Sequence, residues 1–328
     1  MSKVIRFLKD WMLVIGMVAG ASLYLVYHAV PVLHTAGPAL ERIIKAVQPA
    51  LLFLMLFLSF CRIEPRDLRP HRWQIWLLLL QGSLFTVLAM LIVWARSHTG
   101  WMAGCINGIR LPLEAAMLCL VCPTATACAV VINKLEGNMA QAVTYTIFIN
   151  FLVAIIVPLV VPLLYPSGEI TFLNAFLRIL AKVFPLLIMP CLTAWFVRWA
   201  FPGLHSWLTG ITDLAFYIWA VSLTLAILMS TRAIVHNEGS AWVLLGIAAA
   251  SLVCCVFQFW AGRKIGHAYP DAGPVTVGQS LGQKNTVFAI WMGYTFLDPV
   301  VSVAGGFYSI WHNIYNSWQL YEHRKGRE

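Results

Sequence analysis

Charge is what this chain has least of. Only 11% of its 328 residues are Asp, Glu, Lys or Arg, against roughly 25% in an ordinary soluble domain. With 60% hydrophobic residues and a mean hydropathy of +0.80, a water-soluble globule is excluded and an all-α polytopic membrane protein is predicted. Long polar segments are missing too. The longest polar connection, 61–72, is a short basic turn, so residues 1–328 read as one membrane domain whose function is intramembrane. The eight cysteines lie mostly in apolar runs, where thiols act as small hydrophobes. Cys119-x-x-Cys122, with Cys128 behind it, has no histidine or second pair at structural-zinc spacing, so neither a metal site nor a disulfide framework is expected. A His-Glu-x-x-His run is absent, and Asp213 and Asp298 are the only aspartates on offer for an intramembrane protease dyad. The chain is not expected to be an enzyme; an intramembrane enzyme or a sensor is the alternative from another class.

The net charge of +9 comes from 22 basic residues spread along the chain, which argues against a nucleic-acid partner. Lys3, Arg6 and Lys9 open it, Arg62, Arg66, Arg69 and Arg72 share one loop, and Arg263–Lys264 and Arg324, Lys325 and Arg327 mark two more sites. Connections between these clusters carry few cations. That alternation is positive-inside bias, and it predicts a multi-pass protein of the plasma membrane (the inner membrane, in a bacterium) with both termini cytoplasmic. Tryptophans such as Trp11, Trp73, Trp76, Trp94, Trp101, Trp199, Trp207, Trp242 and Trp318 fall near predicted span ends, as in an aromatic belt. Ala19-Gly20-Ala21 resembles a signal cleavage site, but the apolar run continues to Leu33, beyond the roughly 7–15 residues of a signal core, so the segment is expected to be retained.

Ten apolar stretches are each about the 20 residues a bilayer crossing needs. They cover 11–33, 38–60, 73–95, 102–132, 139–165, 172–198, 207–230, 241–262, 274–292 and 295–320. Two are interrupted. Pro123 breaks the fourth, with Thr124 and Thr126 supplying hydroxyls, and the ninth carries the polar run Gly278-Gln279-Ser280-Leu281-Gly282-Gln283-Lys284-Asn285. Irregular backbone at membrane depth survives only inside protein or beside a watery cavity. Broken spans at matching places in two halves point to the binding site of a secondary transporter, and two sets of five spans enter from opposite sides, giving two inverted five-helix repeats.

These residues resemble the bile acid:sodium symporter family, whose members also include transporters of other organic anions. The resemblance covers essentially the whole chain. It is carried by Cys122-Pro123-Thr124-Ala125-Thr126, Gly137-Asn138, Gly282-Gln283-Lys284-Asn285 and Trp311-His312-Asn313-Ile314. It implies panel helices at about 11–60 and 172–230 and core helices at about 73–165 and 241–320, with broken helices 4 and 9 crossing in the core. It also implies alternating access and a small organic anion as substrate, a bile acid or another carboxylate. The lipid bilayer is the expected surroundings, and the sequence leaves the oligomeric state open, a monomer being compatible with it.

The family's sodium ligands match this sequence poorly. The pair after the fourth-span break aligns with Cys128 and Ala129, and the fifth-span ligands align with Ala142 and Thr146, of which only Thr146 offers an oxygen. The ninth-span Glu aligns with Ser280 and the following Gln with Lys284, while a third-span Gln matches Gln81. A one-residue slip would instead use Gln279 and Gln283, keeping a sodium-coupled symporter open. Lys284 lies well inside its span, where an ionisable residue usually faces a cavity or partner; it is read as replacing a bound cation, so that no sodium is required. Burial disfavours the charged ammonium, which makes proton coupling a further option. Glu114 follows Arg110 by four residues and is either its local partner or a group handling protons or substrate. His312, Asn313 and Asn316, within about one helical turn, either line the substrate cavity or bond between helices.

The topology is directly measurable. A reporter fused after Glu328 and another inserted in the 61–72 loop are both expected to signal cytoplasm; an external signal at either place would overturn the span assignment.

Overall fold

The computed structural model describes residues 11–125, 127–165, 172–211, 213–236 and 240–326. Among these the architecture is helical throughout, and the one β interaction is an isolated bridge. The helices are α1 (Met12–Ala29), α2 (Gly37–Cys61), α3 (Arg72–Ser97), α4 (Trp101–Gly108), α5 (Arg110–Val121), α6 (Cys128–Lys134) and α7 (Met139–Leu164). They continue as α8 (Phe172–Ala200), α9 (Pro202–Gly210), α10 (Leu214–Val235), α11 (Ala241–His267), α12 (Gly273–Gly282), α13 (Thr286–Phe296) and α14 (Val303–Lys325). Six described helices are long and apolar enough to cross a membrane, or seven if the bent pair α4–α5 is one span. Of the other expected spans, α12 and α13 hold only 10 and 11 residues and α14 carries a row of buried amides, while α8 has the length, at 29 residues, but is not among the six.

Several boundaries differ from the sequence reading. The fourth stretch, expected as one span over 102–132, is three helices, with a 64° bend between α4 and α5. Pro112 explains the bend, because its ring would clash with the Gly108 carbonyl and it has no N–H to give. The tenth helix begins at Val303 rather than near 295, since Asp298 caps a 3₁₀ turn over Pro299–Ser302 by accepting from the Val300 N–H at 2.9 Å. Trp73 is not in an aromatic belt. It is buried, with its indole N–H donating to Gln141 Oε1 at 2.8 Å, the partner a buried tryptophan needs. Trp101, Trp199 and Trp242 are strongly exposed.

Packing divides the helices into two layers. One contiguous apolar core joins α3, α5, α7 and α11–α14. A second layer is built from α1, α2, α8 and α10, which pack on one another. Its apolar cluster reaches across to Val130 and Val131 of α6 and Leu320 of α14. Glycine sets the closest approach inside the first layer. A Cβ at Gly262 would sit 2.7 Å from the Val277 carbonyl, and one at Gly266 would sit 2.6 Å from Pro274 Cα, so α11 lies backbone to backbone on α12. Such small-residue seams are how helices associate without a hydrophobic driving force between them.

One end of this layer is fixed by charge. Glu114, fully buried, is 3.0 Å from Arg110 Nε and 3.8 Å from Arg96, and accepts a 2.5 Å hydrogen bond from the Tyr165 hydroxyl. Arg96 also donates to the Leu164 carbonyl, and Arg110 lies 3.8 Å from Asp298. The network ties α3, α5, the end of α7 and the 3₁₀ turn together.

Gly262→Val should push α11 from α12 and cost about 1–3 kcal/mol, the usual range for overpacking. The check is the apparent unfolding midpoint in detergent; an unchanged midpoint would show that the seam tolerates a branched side chain.

Candidate functional site

The two interrupted stretches meet. Helix α5 stops at Val121 because Cys122 is extended and Pro123 cannot continue the ladder, and α12 stops at Gly282 with Gln283 extended. The freed backbone groups pair across the gap: the Ala125 N–H donates to the Gln283 carbonyl at 2.9 Å and the Asn285 N–H to the Pro123 carbonyl at 2.9 Å. Thr124 and Lys284 thereby form an antiparallel bridge. The Thr124 hydroxyl adds a 2.7 Å bond to the Ser280 carbonyl. Beyond the breaks the chain resumes as α6 and α13, the latter capped by the Asn285 side chain accepting from the Phe288 N–H. Thr126 lies outside the described residues.

Helix polarity gives the crossing its electrostatics. The C-terminal ends of α5 and α12 converge here, and such ends carry partial negative charge. Their carbonyls are met by buried side chains. Gln81 donates to the Leu120 carbonyl at 2.6 Å and accepts from the Tyr145 hydroxyl. Gln258 donates to the Cys119 carbonyl at 3.3 Å and to the Tyr308 oxygen at 3.0 Å, while Tyr308 donates to the Gly282 carbonyl at 2.7 Å. Each break is thus held by a glutamine–tyrosine pair, one from α3 and α7 and the other from α11 and α14.

Lys284 lies at the centre, 1% exposed. Its backbone N–H donates to His312 Nδ1 at 3.3 Å, while its ammonium has no hydrogen-bond partner among the described residues. The ionisable side chains around it are the thiols of Cys122, Cys119, Cys254 and Cys128, with no carboxylate among them. Among the described residues, five buried polar atoms without a partner belong to the crossing, Gln258 Oε1, Ser280 Oγ, Gln283 Oε1, Lys284 Nζ and Asn313 Oδ1, and Gln279 Oε1 and Asn316 Nδ2 lie beside it. A polar cleft of about 60 Å³ opens beside them between the two layers. One wall is Gln283–Val287 with Ser309, His312 and Asn313; the other is Gln48 and Met55 of α2 with Trp219 and Ser222 of α10.

The residues singled out from sequence are not all brought together. Pro123, Thr124, Ser280, Gly282, Gln283, Lys284, Asn285, His312 and Asn313 share the crossing or its cleft. Gln279 turns aside to Asn316 Oδ1 at 3.0 Å and Gln319 Oε1 at 2.5 Å. Thr146 donates to the Ala142 carbonyl of its own helix at 2.9 Å. Glu114 is removed from the crossing by two turns of α5, about 12 Å, and belongs to the ion network described above. Sequence reasoning missed Gln258, Tyr145 and Tyr308. A lone amide in an otherwise apolar helix is the signal that could have found Gln258. No protein-family model matches this chain, and no curated protein matches it.

Tyr308→Phe removes the donor to the Gly282 carbonyl and Tyr145→Phe the donor to Gln81. Each should cost about 1–3 kcal/mol, the penalty for orphaning a buried polar group. Thermal unfolding of both variants in detergent is the measurement, and wild-type midpoints would mean that the break does not depend on these hydroxyls.

Proposed function

We propose that the protein is a secondary transporter of the bile acid:sodium symporter type, moving a small organic anion by alternating access. The observation that carries this reading is the crossing itself: two broken helices joined backbone to backbone beside a polar cleft between two helix layers. In this reading there are ten spans in two inverted five-helix repeats. The α1, α2, α8 and α10 layer, residues 11–60 and 172–230, is the panel, and residues 73–165 and 241–320 are the core. The duplicated glutamine–tyrosine pairs support the repeat. Gln81 and Tyr145 lie on the third and fifth spans of the first half, Gln258 and Tyr308 on the third and fifth of the second. Both termini face the cytoplasm of the cell whose plasma membrane holds the protein.

The substrate lies in the cleft, where the partial positive charge at the N-terminal end of α13 favours a carboxylate. Motion of the core against the panel exposes that cleft to each side in turn. The intramembrane enzyme reading finds less support: Asp213 is paired with Lys134, and Asp298 caps a turn.

Lys284 stands in for a coupling cation. Its ammonium follows the C-terminal end of α12, where a positive charge is stabilised. The positions that would cage sodium hold Cys128, Ala129 and Ala142, and the Thr146 hydroxyl is already bonded. Proton coupling through Lys284, or simple exchange, replaces sodium coupling.

Carboxylate uptake into proteoliposomes is therefore expected to be unchanged when sodium is replaced by potassium, and to be lost in Lys284→Ala. Lys284→Gln should not acquire sodium dependence. Sodium-stimulated uptake by the wild-type protein would instead favour a sodium site using Gln279 and Gln283. Gly282→Leu should abolish uptake while leaving expression largely intact, because any side chain there meets the Phe259 ring; wild-type uptake would reduce the break to a packing feature.

A further inference from the structure

A groove of about 800 Å³ lies away from the crossing, on the outer face where α11 and α14 meet. Its wall is aromatic, built from Trp260, Trp311, Tyr315 and Trp318. One end is basic: Arg263, Lys264 and His267 line it, and no carboxylate does. Among the described residues neither Arg263 nor Lys264 is paired with an acidic side chain, and His267 beside them adds a ring N–H. We propose that this groove is a binding site for an anionic phospholipid, its acyl chains along the tryptophan wall and its phosphate on Arg263, Lys264 and His267.

Dimensions and chemistry agree. From Leu252 at the apolar end to Lys264 at the basic end, α11 rises about 18 Å, close to the roughly 15 Å of hydrocarbon in one leaflet. The headgroup end therefore coincides with the interface, where indole rings and lysine are at home. The Lys264 ammonium sits 5.1 Å from the centre of the Trp260 ring, lying over it at the rim. Arg263 runs its stem along Gly278 of α12. A zwitterionic headgroup would bring its own cation against Arg263 and Lys264, whereas an anionic one brings none. Basic pockets between membrane helices select lipid in this way. The occupant would also touch the back of the transport site. Phe259 lines the groove, stacks within 4.1 Å of Tyr315 between ring centres, and lies against Gly282 at the break.

The test is lipid retention by the purified full chain, read by native mass spectrometry after exchange into phosphatidylglycerol or phosphatidylcholine with identical acyl chains. Phosphatidylglycerol should be retained severalfold more, and its retention, unlike that of phosphatidylcholine, should fall as ionic strength rises. Lys264→Gln, at an exposed position that leaves packing intact, should reduce the preference about fivefold, the effect expected of one cation near a lipid surface. Arg263→Gln/Lys264→Gln should reduce it further. Equal retention of the two lipids, salt-insensitive retention, or an unaltered preference in Lys264→Gln would each overturn the proposal. Stabilisation by inorganic phosphate equal to that by phosphatidylglycerol would overturn it as well, because the acyl chains would then contribute nothing. These readouts involve no transport, so they stand apart from any failure of the transporter reading.

Discussion

Two backbone hydrogen bonds, from Ala125 to Gln283 and from Asn285 to Pro123, are the constraint on which the rest of the molecule depends. A chain in hydrocarbon has no water to satisfy freed peptide groups, so a helix can be interrupted there only if something else takes over. Here each interruption satisfies the other. Neither break is stable alone, and this explains why they come as a pair. The pairing also forces four half-helices to point their ends at one place, which creates an electrostatic centre without using a single carboxylate. Around that centre Gln81, Gln258 and Tyr308 donate to the Leu120, Cys119 and Gly282 carbonyls, and Tyr145 holds the Gln81 side chain.

Much of this was legible in the sequence, though unevenly. Pro123 announces its own break, because a proline's missing N–H acts on the chain whatever surrounds it. Gly282 and Lys284 stand out in an apolar run because neither belongs in a lipid-facing helix. The bend near Ile109 had the same cause, Pro112, but was hidden inside a continuous apolar stretch that fitted one long span. Partner choice was the illegible part. That Thr146 bonds within its own helix, that Gln279 turns to Asn316 and Gln319, and that Trp73 is buried against Gln141 depend on side-chain directions fixed by packing between distant segments.

The two layers are held by different means, and that difference bears on movement. Inside the layer containing the crossing, glycine seams, the Glu114 ion network and the glutamine–tyrosine pairs are short-range and directional. Sliding any of these helices past another would orphan buried polar groups at roughly 1–3 kcal/mol each. Between the layers the contacts are largely apolar, with Trp219, Leu223 and Met55 facing Ala127, Val130 and Val131. Apart from the half-exposed Lys134–Asp213 pair, such contacts can be exchanged for others of similar area without leaving a polar group unpaired. In the proposed transport cycle, movement therefore follows the cleft and the crossing travels as a unit.

A buried ammonium sits awkwardly in so carefully satisfied a structure. Removing a charge from water costs several kcal/mol unless a partner answers it, and Lys284 has thiols rather than a carboxylate around it. The two helix ends supply part of the answer, since their partial negative charges converge where the ammonium lies. The unpartnered atoms of Gln283, Asn313 and Ser280 nearby show that the polar chemistry of the site is incomplete within the chain itself. A sequence selected for stability alone would place leucine or methionine at position 284, which fills the same volume without the charge. The lysine that stands there instead places an amine where the C-terminal ends of α5 and α12 meet, the two helix ends whose partial negative charge favours its protonated form.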